Sequence, residues 1–485
     1  MKAKKLAALL LTLVLALGLI SVGAMAEQRP VAPDSTASIT VNNAVANDVF
    51  AAYKVVDITY TAEDNNLKKA FNSDFAGYFA SKNTTIEQFA ALKDESHSQD
   101  LKNLLADLPK YIEDNHIDPV QTKAVTGTTA TFAGLEMGEY FIRPTSTTSV
   151  YQLMLQKIEP TVVDGTYKID DVTFNAKHEP VNVTKTADKT SVTKNEKVEY
   201  TITVDIPTYL DEAKDKTFYV SDKLPDGLTI DPASIEVKVN NAVVPTSAYD
   251  LNTTANDTFT FKLSVSNDKY AANWKANAGK KLVITYTAKL NNDTTTAVNE
   301  KETNKVTFDY SNYPYVASHV TKTASVDVTT FAIKVNKFKA GEDTTKLANA
   351  KFDLYRTVYE GETGENIPHA NVQGVKLESG ITDADGAITF AKYEANGAKY
   401  DYYLVETQAP SGYNLLTNAV KVNFTDTQVE ATAGIYTVDV ENSSGIQLPI
   451  TGGTGTVIFT VIGIALMAGA VVLLVLSRKK ATVNK

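Results

Sequence analysis

The sequence predicts a mainly β protein built from tandem β-sandwich domains. Short runs of alternating apolar and polar residues recur along the chain, separated by Gly, Pro, Asn and Asp turns, which is typical of sandwiches. Tyr, Thr and Val, residues that favour strands, are abundant, and Trp occurs once. One segment near the start has helical spacing instead, and an apolar stretch stands at each end of the chain.

The N-terminal segment, residues 1–26, has the layout of a secretory signal peptide. Three lysines among the first five residues precede an apolar, Leu-rich run over residues 6–22. Ala24 and Ala26 then place small residues at the two positions read for cleavage, so we expect a cut after Ala26. An uncleaved N-terminal anchor is the alternative. Without the two ends, about 400 residues remain, enough for about three domains.

Composition narrows the functional classes. The formal net charge of −10 argues against a nucleic-acid partner. The five histidines show no ligand spacing, so we predict no metal site. With no Gly-rich phosphate loop and no G-x-S-x-G elbow, we predict no cofactor. The chain has no cysteine, so an exported protein of this size must be stabilised by something other than disulfides.

The first domain is predicted over residues 31–178. It opens with strand-like segments at 37–41 and 49–56. From residue 66 to about 117 the apolar residues recur at helical spacing, so we predict a helical insertion on a β scaffold, carried by Phe71, Phe75, Tyr78, Phe79, Leu101, Leu104, Leu105, Leu108 and Tyr111. Strands resume near residue 129.

The second and third domains are predicted over residues 179–322 and 325–445. Both contain many short alternating strands and little helix, the pattern of an all-β sandwich. In the third domain the sequence Asp-Ala-Asp-Gly, residues 383–386, could be half of a calcium loop. The other ligands at EF-hand spacing are missing, so we interpret it as a hairpin turn.

The C-terminal end combines three features in a fixed order. A short motif is followed by a stretch without charge over residues 453–477 and a basic tail over 478–485. About 20 apolar residues can cross a bilayer as a helix, and the basic residues should stay on the cytoplasmic side. The order resembles the sorting signal of sortase substrates in Gram-positive bacteria; a plain C-terminal anchor is the alternative. The motif residues are Leu448, Pro449, Ile450, Thr451 and Gly452.

The third domain resembles the Ig-like CnaB-type domains of pilins and adhesins. Residues 347–355 are similar to the L-A-G-A-x-F-x-L-Y strand, and residues 402–413 match every fixed position of the pilin E-box, Y-x-L-x-E-T-x-A-P-x-G-Y. The resemblance implies an isopeptide bond from Lys337 to Asn442, promoted by Glu406. The lysines at 334 and 339 are alternatives, and strand alternation puts the latter on the same face as Lys337.

The residue types suit this chemistry. A lysine amine is a nucleophile only when neutral, and burial can lower its pKa from about 10.4 by roughly 3–5 units. Burial also raises the pKa of a carboxyl group, so Glu406 can stay protonated, polarise the Asn442 carbonyl and shuttle protons as ammonia leaves. A solvated strand lysine and a surface glutamate are the alternative.

The second domain resembles the CnaA-like middle domain of pilins. Residues 218–228 are similar to its D-x-L-P-x-G-L segment, and residues 304–312 to its last strand. The resemblance implies a bond from Lys185 to Asn304 with Asp222 as the acid; a plain Asp turn is the alternative. For the first domain a crosslink stays open. Lys54 and Asn175 lie in suitable strands, but residues 138–142 do not match the E-box.

The junction of the first two domains resembles the pilin motif, an aromatic residue followed by V-x-V-Y-P-K. In residues 167–177 the motif lysine would be Lys177, with Lys168 as its rival. Asn-Ala precedes Lys177 where the family has Tyr-Pro. In backbone pilins this lysine attacks the thioester that sortase forms with the sorting-motif threonine of the previous subunit, here Thr451.

Together these resemblances imply a shaft subunit of a sortase-assembled Gram-positive pilus. The expected partners are identical subunits, a pilus-specific and a housekeeping sortase, ancillary pilins and peptidoglycan. The expected location is the cell wall. We expect no enzymatic activity beyond autocatalytic isopeptide formation. The alternatives are an ancillary pilin or monomeric wall-anchored adhesin, and a surface enzyme within the helical insertion, for which the sequence offers no catalytic constellation.

Overall fold

A computed structural model of the chain describes residues 35–61, 66–163, 166–291, 301–397, 399–445 and 454–481. The signal peptide, the sorting motif with Thr451 and the last four residues lie outside them. The chain divides into two compact units, the first ending at Val328 and the second beginning at Thr329, with Ser191–Thr193 also in the second. The first unit contains both N-terminal predicted domains, so the three-domain boundaries stay a prediction.

The N-terminal part of the first unit is a β scaffold with helices between its third and fourth strands. Its elements are β1 (Ala37–Asn42), β2 (Val49–Thr61), β3 (Asn66–Phe71), α1 (Ser73–Ser81), α2 (Ile86–Ala91), α3 (Ser98–Ala106), α4 (Leu108–Asp114), β4 (Gln121–Ala124), β5 (Ala130–Leu135), β6 (Gly138–Ser146), β7 (Ser149–Tyr151), β8 (Met154–Ile158), β9 (Thr161–Val163), β10 (Thr166–Lys168), β11 (Val172–Asn175) and β12 (His178–Pro180).

Two sheets enclose the core of this part. One has the order β11-β1-β5 and the other β3-β2-β6-β8, with β4 beside β2. Inward-facing Ile39, Phe50 and Phe132 are buried between them. The helical insertion is confirmed, but its predicted start at residue 66 is wrong. Residues up to Phe71 form β3, and Phe71 stacks on Phe79 of α1 with ring centroids 3.8 Å apart, so it packs on a helix without belonging to one.

The C-terminal part of the first unit is a sandwich of two five-stranded sheets, in the orders β13-β14-β20-β16-β17 and β18-β19-β15-β21-β22. Inward positions alternate along β14, β15 and β20, as expected for strands buried on one face. The elements are β13 (Val183–Ala187), β14 (Lys197–Asp205), β15 (Phe218–Lys223), β16 (Leu228–Val239), β17 (Ala242–Val243), β18 (Asp250–Asn252), β19 (Phe261–Val265), α5 (Asn267–Lys269), β20 (Lys281–Leu290), β21 (Lys301–Ser311) and β22 (His319–Thr329).

The second unit is a sandwich followed by a long helix. Its elements are β23 (Phe331–Lys339), β24 (Glu342–Lys346), β25 (Lys351–Thr357), β26 (Glu365–Asn366), β27 (Gln373–Ile381), β28 (Ala387–Tyr393), β29 (Tyr402–Gln408), β30 (Val420–Val422), α6 (Asp426–Glu430), β31 (Ile435–Asn442) and α7 (Thr454–Ala481). One sheet has the order β24-β23-β28, with β31 also on β23, and the other β26-β27-β25-β29-β30.

Two features of this sandwich position the residues discussed below. The first strand, β23, and the last, β31, pair in parallel from Ala332↔Ile435 to Lys339↔Asn442. The turn at residues 383–386 is present, with Gly386 at φ +68°, but it joins β27 to β28, which lie in different sheets. The predicted hairpin is therefore wrong, because the turn carries the chain across the sandwich.

The apolar stretch predicted to cross a membrane is helical and forms most of α7. The side chains described in it, those of residues 459–475, are nearly all exposed. Among the described residues, no helix is long and apolar enough to span a bilayer. The membrane crossing therefore stays a prediction.

Candidate functional site

The E-box sandwich brings the three residues predicted for its crosslink together in its core. Lys337 lies on the inward face of β23, Asn442 is the last residue of β31, and Glu406 lies on β29 of the facing sheet. Their exposed fractions are 0%, 1% and 2%. An apolar core does not normally admit two ionisable groups and an amide, so their burial together marks a chemical site.

Hydrogen bonds fix the geometry of this trio. The amine of Lys337 donates to Oδ1 of Asn442 and lies 3.5 Å from Oε1 of Glu406. The Asn442 amide nitrogen donates to both Glu406 oxygens, at 3.0 and 3.1 Å, and to the carbonyl of Asn414 at 2.9 Å. The backbone N–H of Leu416 donates to Glu406 at 2.9 Å. The acid thus faces the nitrogen that would leave as ammonia.

Burial lowers the pKa of Lys337 to about 8, against the opposing charge of Glu406. At neutral pH about a tenth of the amine is then uncharged and can act as a nucleophile. The alternative lysines are placed differently. Lys339 is partly exposed and pairs with Glu342 at 2.6 Å, and Lys334 is on the opposite face of β23 by alternation. Of the three, Lys337 is the one that meets Asn442.

The middle sandwich also buries its predicted trio. Lys185 on β13, Asp222 on β15 and Asn304 on β21 are buried, and the Lys185 amine donates to Oδ2 of Asp222. Burial lowers the pKa of Lys185 and raises the pKa of Asp222. Both shifts favour the uncharged forms, a neutral amine and a protonated acid.

Tyr286 on β20 is a fourth member of this site that the sequence analysis did not identify. Its hydroxyl donates to Oδ1 of Asp222 at 2.9 Å and accepts from the Lys185 amine at 2.8 Å and from the Asn304 amide nitrogen at 2.7 Å. Residue 286 lies on the inward face of β20, along which buried and partly exposed residues alternate. A buried Tyr hydroxyl needs a partner, and that requirement was the signal available in the sequence.

The residues considered for a crosslink in the first domain are not brought together. Lys54 binds Glu136 at 2.9 Å and Asp57 at 3.3 Å, and Asn175 is exposed on β11. The structure instead buries Glu139, in the segment that does not match the E-box, against Lys93 beyond α2. Neither partner of this pair hydrogen-bonds to an Asn side chain.

Lys177 lies between β11 and β12, where backbone hydrogen bonds hold both Lys177 and the residue before it. The N–H of Gln152 donates to its carbonyl at 3.1 Å, and Ala176 before it donates to the Asn42 carbonyl at 2.8 Å. The side chain is half-buried, and its pKa is lowered by burial and then by the charge of Lys102. Ala176, where the family has Pro, is buried in the core. The rival Lys168 pairs with Asp170 at 3.0 Å and is largely exposed.

Comparison with known families identifies two segments. Residues 332–438 match SpaA, described as a prealbumin-like fold domain, and residues 440–482 match the LPXTG cell wall anchor motif of Gram-positive bacteria. The chain is also similar to fimbrial subunit type 1 of Actinomyces viscosus, at 26% identity over 326 residues. That alignment covers 58% of this chain and 61% of the relative.

Solved structures extend the likeness to most of the chain. The T6 backbone pilin of Streptococcus pyogenes has a TM-score of 0.58 at 19% identity, covering 82% of this chain and 81% of its own. The major pilin SpaD of Corynebacterium diphtheriae has a TM-score of 0.56 at 19% identity, covering 86% and 99%. The chain has the fold of a Gram-positive backbone pilin, with a SpaA-type domain and an LPXTG anchor.

The residues predicted for the third-domain crosslink and for sorting lie within the two matched segments. The SpaA-type match begins in β23 and ends in β31, so it contains Lys337 and Glu406. Asn442 falls just beyond it, within the anchor match. The sorting motif lies in the same anchor match, outside the described residues. In the part of the chain that the structure describes, no cluster of His, Cys, Asp and Glu could hold a metal ion.

Proposed function

We propose that the protein is the shaft subunit of a covalently polymerised surface pilus that is anchored to peptidoglycan. The observation that carries this proposal is the buried trio of Lys337, Asn442 and Glu406, which joins the first and last strands of the SpaA-type domain. The backbone-pilin fold and the LPXTG anchor support it. Such a subunit has a structural role, and its reactions join it to itself and to its neighbours.

Each internal crosslink forms by one substitution at an amide. The neutral amine of Lys337 attacks Cγ of Asn442, a C–N bond forms, and the bond to Nδ2 breaks. Glu406 takes a proton from the attacking nitrogen and supplies one to the nitrogen that leaves as ammonia. Lys185 and Asn304 form the second bond with Asp222 as the acid. No oxidant or external cofactor is required.

The joint between subunits uses the two ends of the molecule. A pilus-specific sortase cleaves after Thr451 and holds that residue as a thioester. The amine of Lys177 in the next subunit attacks it, an amide forms, and the sortase thiol is released. Lys177 suits this role because its pKa is lowered and because hydrogen bonds hold its backbone. The last Thr451 passes to peptidoglycan through a housekeeping sortase, and ancillary pilins can join the same chain.

Substitution of the acceptor lysine tests the joint. Co-expressed with its sortase, the wild type should give a ladder of high-mass polymer that survives denaturation, whereas Lys177→Ala should give only wall-linked monomer. Lys168→Ala is the matched control and should keep the ladder. A ladder that persists in Lys177→Ala but is lost in Lys168→Ala would move the acceptor to Lys168. Monomer from the wild type would favour an adhesin.

Intact mass tests the internal bonds separately. Each bond removes one ammonia, about 17 Da, so the ectodomain should be about 34 Da lighter than its sequence. Glu406→Gln should restore about 17 Da, because the acid beside the leaving nitrogen is lost. Lys339→Ala, on the same strand but outside the pocket, should keep both bonds. An unmodified wild-type mass rejects the crosslinks without bearing on the polymer.

A further inference from the structure

The middle sandwich differs from the SpaA-type sandwich in how its acid reaches the reacting amide. In the SpaA-type domain both oxygens of Glu406 accept directly from the amide nitrogen of Asn442. In the middle domain Asp222 makes no hydrogen bond to Asn304. The Asn304 amide nitrogen donates to the hydroxyl of Tyr286 at 2.7 Å, and within the described part of the chain its Oδ1 has no hydrogen-bond partner.

We propose that Tyr286 is a catalytic residue of the Lys185–Asn304 reaction, relaying a proton from Asp222 to the departing amide nitrogen. This inference rests on the proposed crosslink and assigns a residue that the pilin motifs do not contain. An Asp side chain is one methylene shorter than a Glu side chain, and the hydroxyl spans the gap. Its bonds to Asp222 and Asn304 are 2.9 and 2.7 Å long.

The hydroxyl has the right number of bonds for a relay. A phenol can donate one hydrogen bond and accept two, and Tyr286 donates to Asp222 and accepts from Lys185 and Asn304. All three reacting side chains therefore meet at one oxygen. The same bonds hold the amide beside the amine before reaction, so the hydroxyl also positions the two reactants.

The proton steps balance. As the Lys185 amine attacks Cγ of Asn304, its surplus proton passes to Oδ2 of Asp222, which it already contacts. Once Cγ is tetrahedral, Nδ2 presents a lone pair, and the Tyr286 hydroxyl turns from Oδ1 of Asp222 to give its proton to Nδ2. The carboxyl proton that Asp222 held before the attack then moves to the Tyr286 oxygen. The bond from Cγ to Nδ2 breaks and ammonia leaves. Tyr286 and Asp222 end in their starting protonation states, and the product is an amide between Lys185 and Asn304.

Removal of one hydroxyl tests the relay. The tyrosine ring stacks on Tyr200 and meets Phe261 edge-on, so Tyr286→Phe keeps the packing. The whole ectodomain is made by cell-free translation and sampled over time, and the peptide joining Lys185 to Asn304 is quantified by mass spectrometry. We expect linking in Tyr286→Phe to be about 100-fold slower. Linking of Lys337 to Asn442 in the same molecules should be unchanged.

Two further variants separate chemistry from structure. Tyr209→Phe removes a buried hydroxyl from the same part of the chain, one that donates to the carbonyl of Thr217 at 3.2 Å instead of to a reacting side chain, and should link at close to the wild-type rate. Adding Asp222→Glu to Tyr286→Phe lengthens the acid into the space left by the hydroxyl, and should recover linking. The added methylene of Glu in the double variant also fills the volume of the Tyr286 hydroxyl. Near-UV circular dichroism of each purified variant checks that the fold is kept.

Each outcome is decisive. Slow linking in Tyr286→Phe, normal linking in Tyr209→Phe and recovery in the double variant support the relay. Linking at the wild-type rate in Tyr286→Phe, equal slowing in Tyr209→Phe or no recovery in the double variant overturns it. A wild-type chain that never joins Lys185 to Asn304 overturns the crosslink and the relay together, whereas loss of the pilus ladder alone leaves both standing.

Discussion

At the scale of single residues, the chain buries ionisable side chains where the core disfavours their charged forms. An uncompensated buried charge costs several kcal/mol, and even a paired one is often less stable than an apolar replacement. Lys337 and Lys185 are fully buried beside an acid and an Asn side chain. The proposed conversion of amine and amide into one isopeptide group would remove the ionisable nitrogen and with it the cost of burying its charge.

His319 should make stability depend on pH. It contacts Asp215 at 2.8 Å and also Asp309. The bond to Asp215, opposed by partial burial and aided by Asp309, raises the pKa of His319 above 6.5. Because the folded pKa is the higher one, the contribution is complete below about pH 6.5 and is lost as pH rises through the folded value.

Calorimetry on His319→Gln would measure this contribution. The variant should lose about 1 kcal/mol relative to the wild type at pH 5.5, and the difference should shrink at pH 9. Intact mass of the variant verifies that both crosslinks have formed. A difference in Tm that grows between pH 5.5 and 9 would contradict the assignment.

The sequence could predict most of the residues that the two buried sites bring together. Resemblance to pilin motifs singles out Lys337, Glu406, Asn442, Lys185, Asp222 and Asn304, because each motif is contained in a short stretch of sequence. Tyr286 belongs to no motif, since its role depends on three strands meeting at one point. The sequence likewise does not reveal that Glu139 pairs with Lys93, because Lys93 approaches it from the helical insertion.

At the scale of elements, the parallel pairing of β23 with β31 creates the SpaA-type site. Lys337 is opposite Val440 in the register, and Asn442 is opposite Lys339. Lys337 and Asn442 are therefore diagonal neighbours, offset by two positions in the register of the paired strands. Long side chains can bridge that offset. The sequence does not give the register of this pairing, because pairing across more than 100 residues depends on the whole sandwich.

Local spacing also failed to separate β3 from α1. Phe71 and Phe75 are four residues apart, which suits a helix, but residues 66–71 complete a sheet beside β2. Asn72 then caps α1 by accepting from the N–H of Asp74, and that capping residue marked the true boundary. Antiparallel pairing with β2, the preceding strand, therefore outweighed the local helical spacing.

Gly386 supports the reacting strand and should not tolerate a side chain. Its φ is +68°, and an added Cβ would lie 2.3 Å from the carbonyl oxygen of Lys337. Gly386→Ala should therefore lower the Tm of the domain and the fraction joined at Lys337, because the Lys337 backbone must move. Gly341→Ala is matched, with φ +78° and no atom within 4 Å. It should cost only about 1 kcal/mol.

Thermal unfolding and peptide mapping of both variants would compare these effects. Equal losses in the two variants would show that backbone strain alone matters at residue 386. A larger loss in Gly341→Ala would contradict the role given to the contact with Lys337.

At the scale of the whole molecule, the proposed crosslinks would lie on the path along which tension travels. A bond from Lys337 to Asn442 joins residues 105 positions apart. Single-molecule stretching of the wild type should show no unfolding step from this segment. Lys337→Ala should add a step of about 350 Å, at 3.3–3.6 Å per residue. Lys339→Ala, on the same strand, should show none.

A step in the wild type, or its absence in Lys337→Ala, would reject this path for the tension. By analogy with disulfides, closing a loop of that length also stabilises by about 4–5 kcal/mol through the unfolded state. A chain without cysteine would thereby gain what exported proteins commonly obtain from disulfides.

Because Lys337 and Asn442 lie at the two ends of one domain, joining them also changes the consequence of cleaving a peptide bond between them. Once they are joined, residues 338–441 form a closed side loop, and the continuous covalent route runs through the two side chains. A peptidase that nicks an exposed turn in that loop severs a peptide bond but not the fibre. The loops of this domain are then free to change in sequence, or to be damaged, without the filament coming apart.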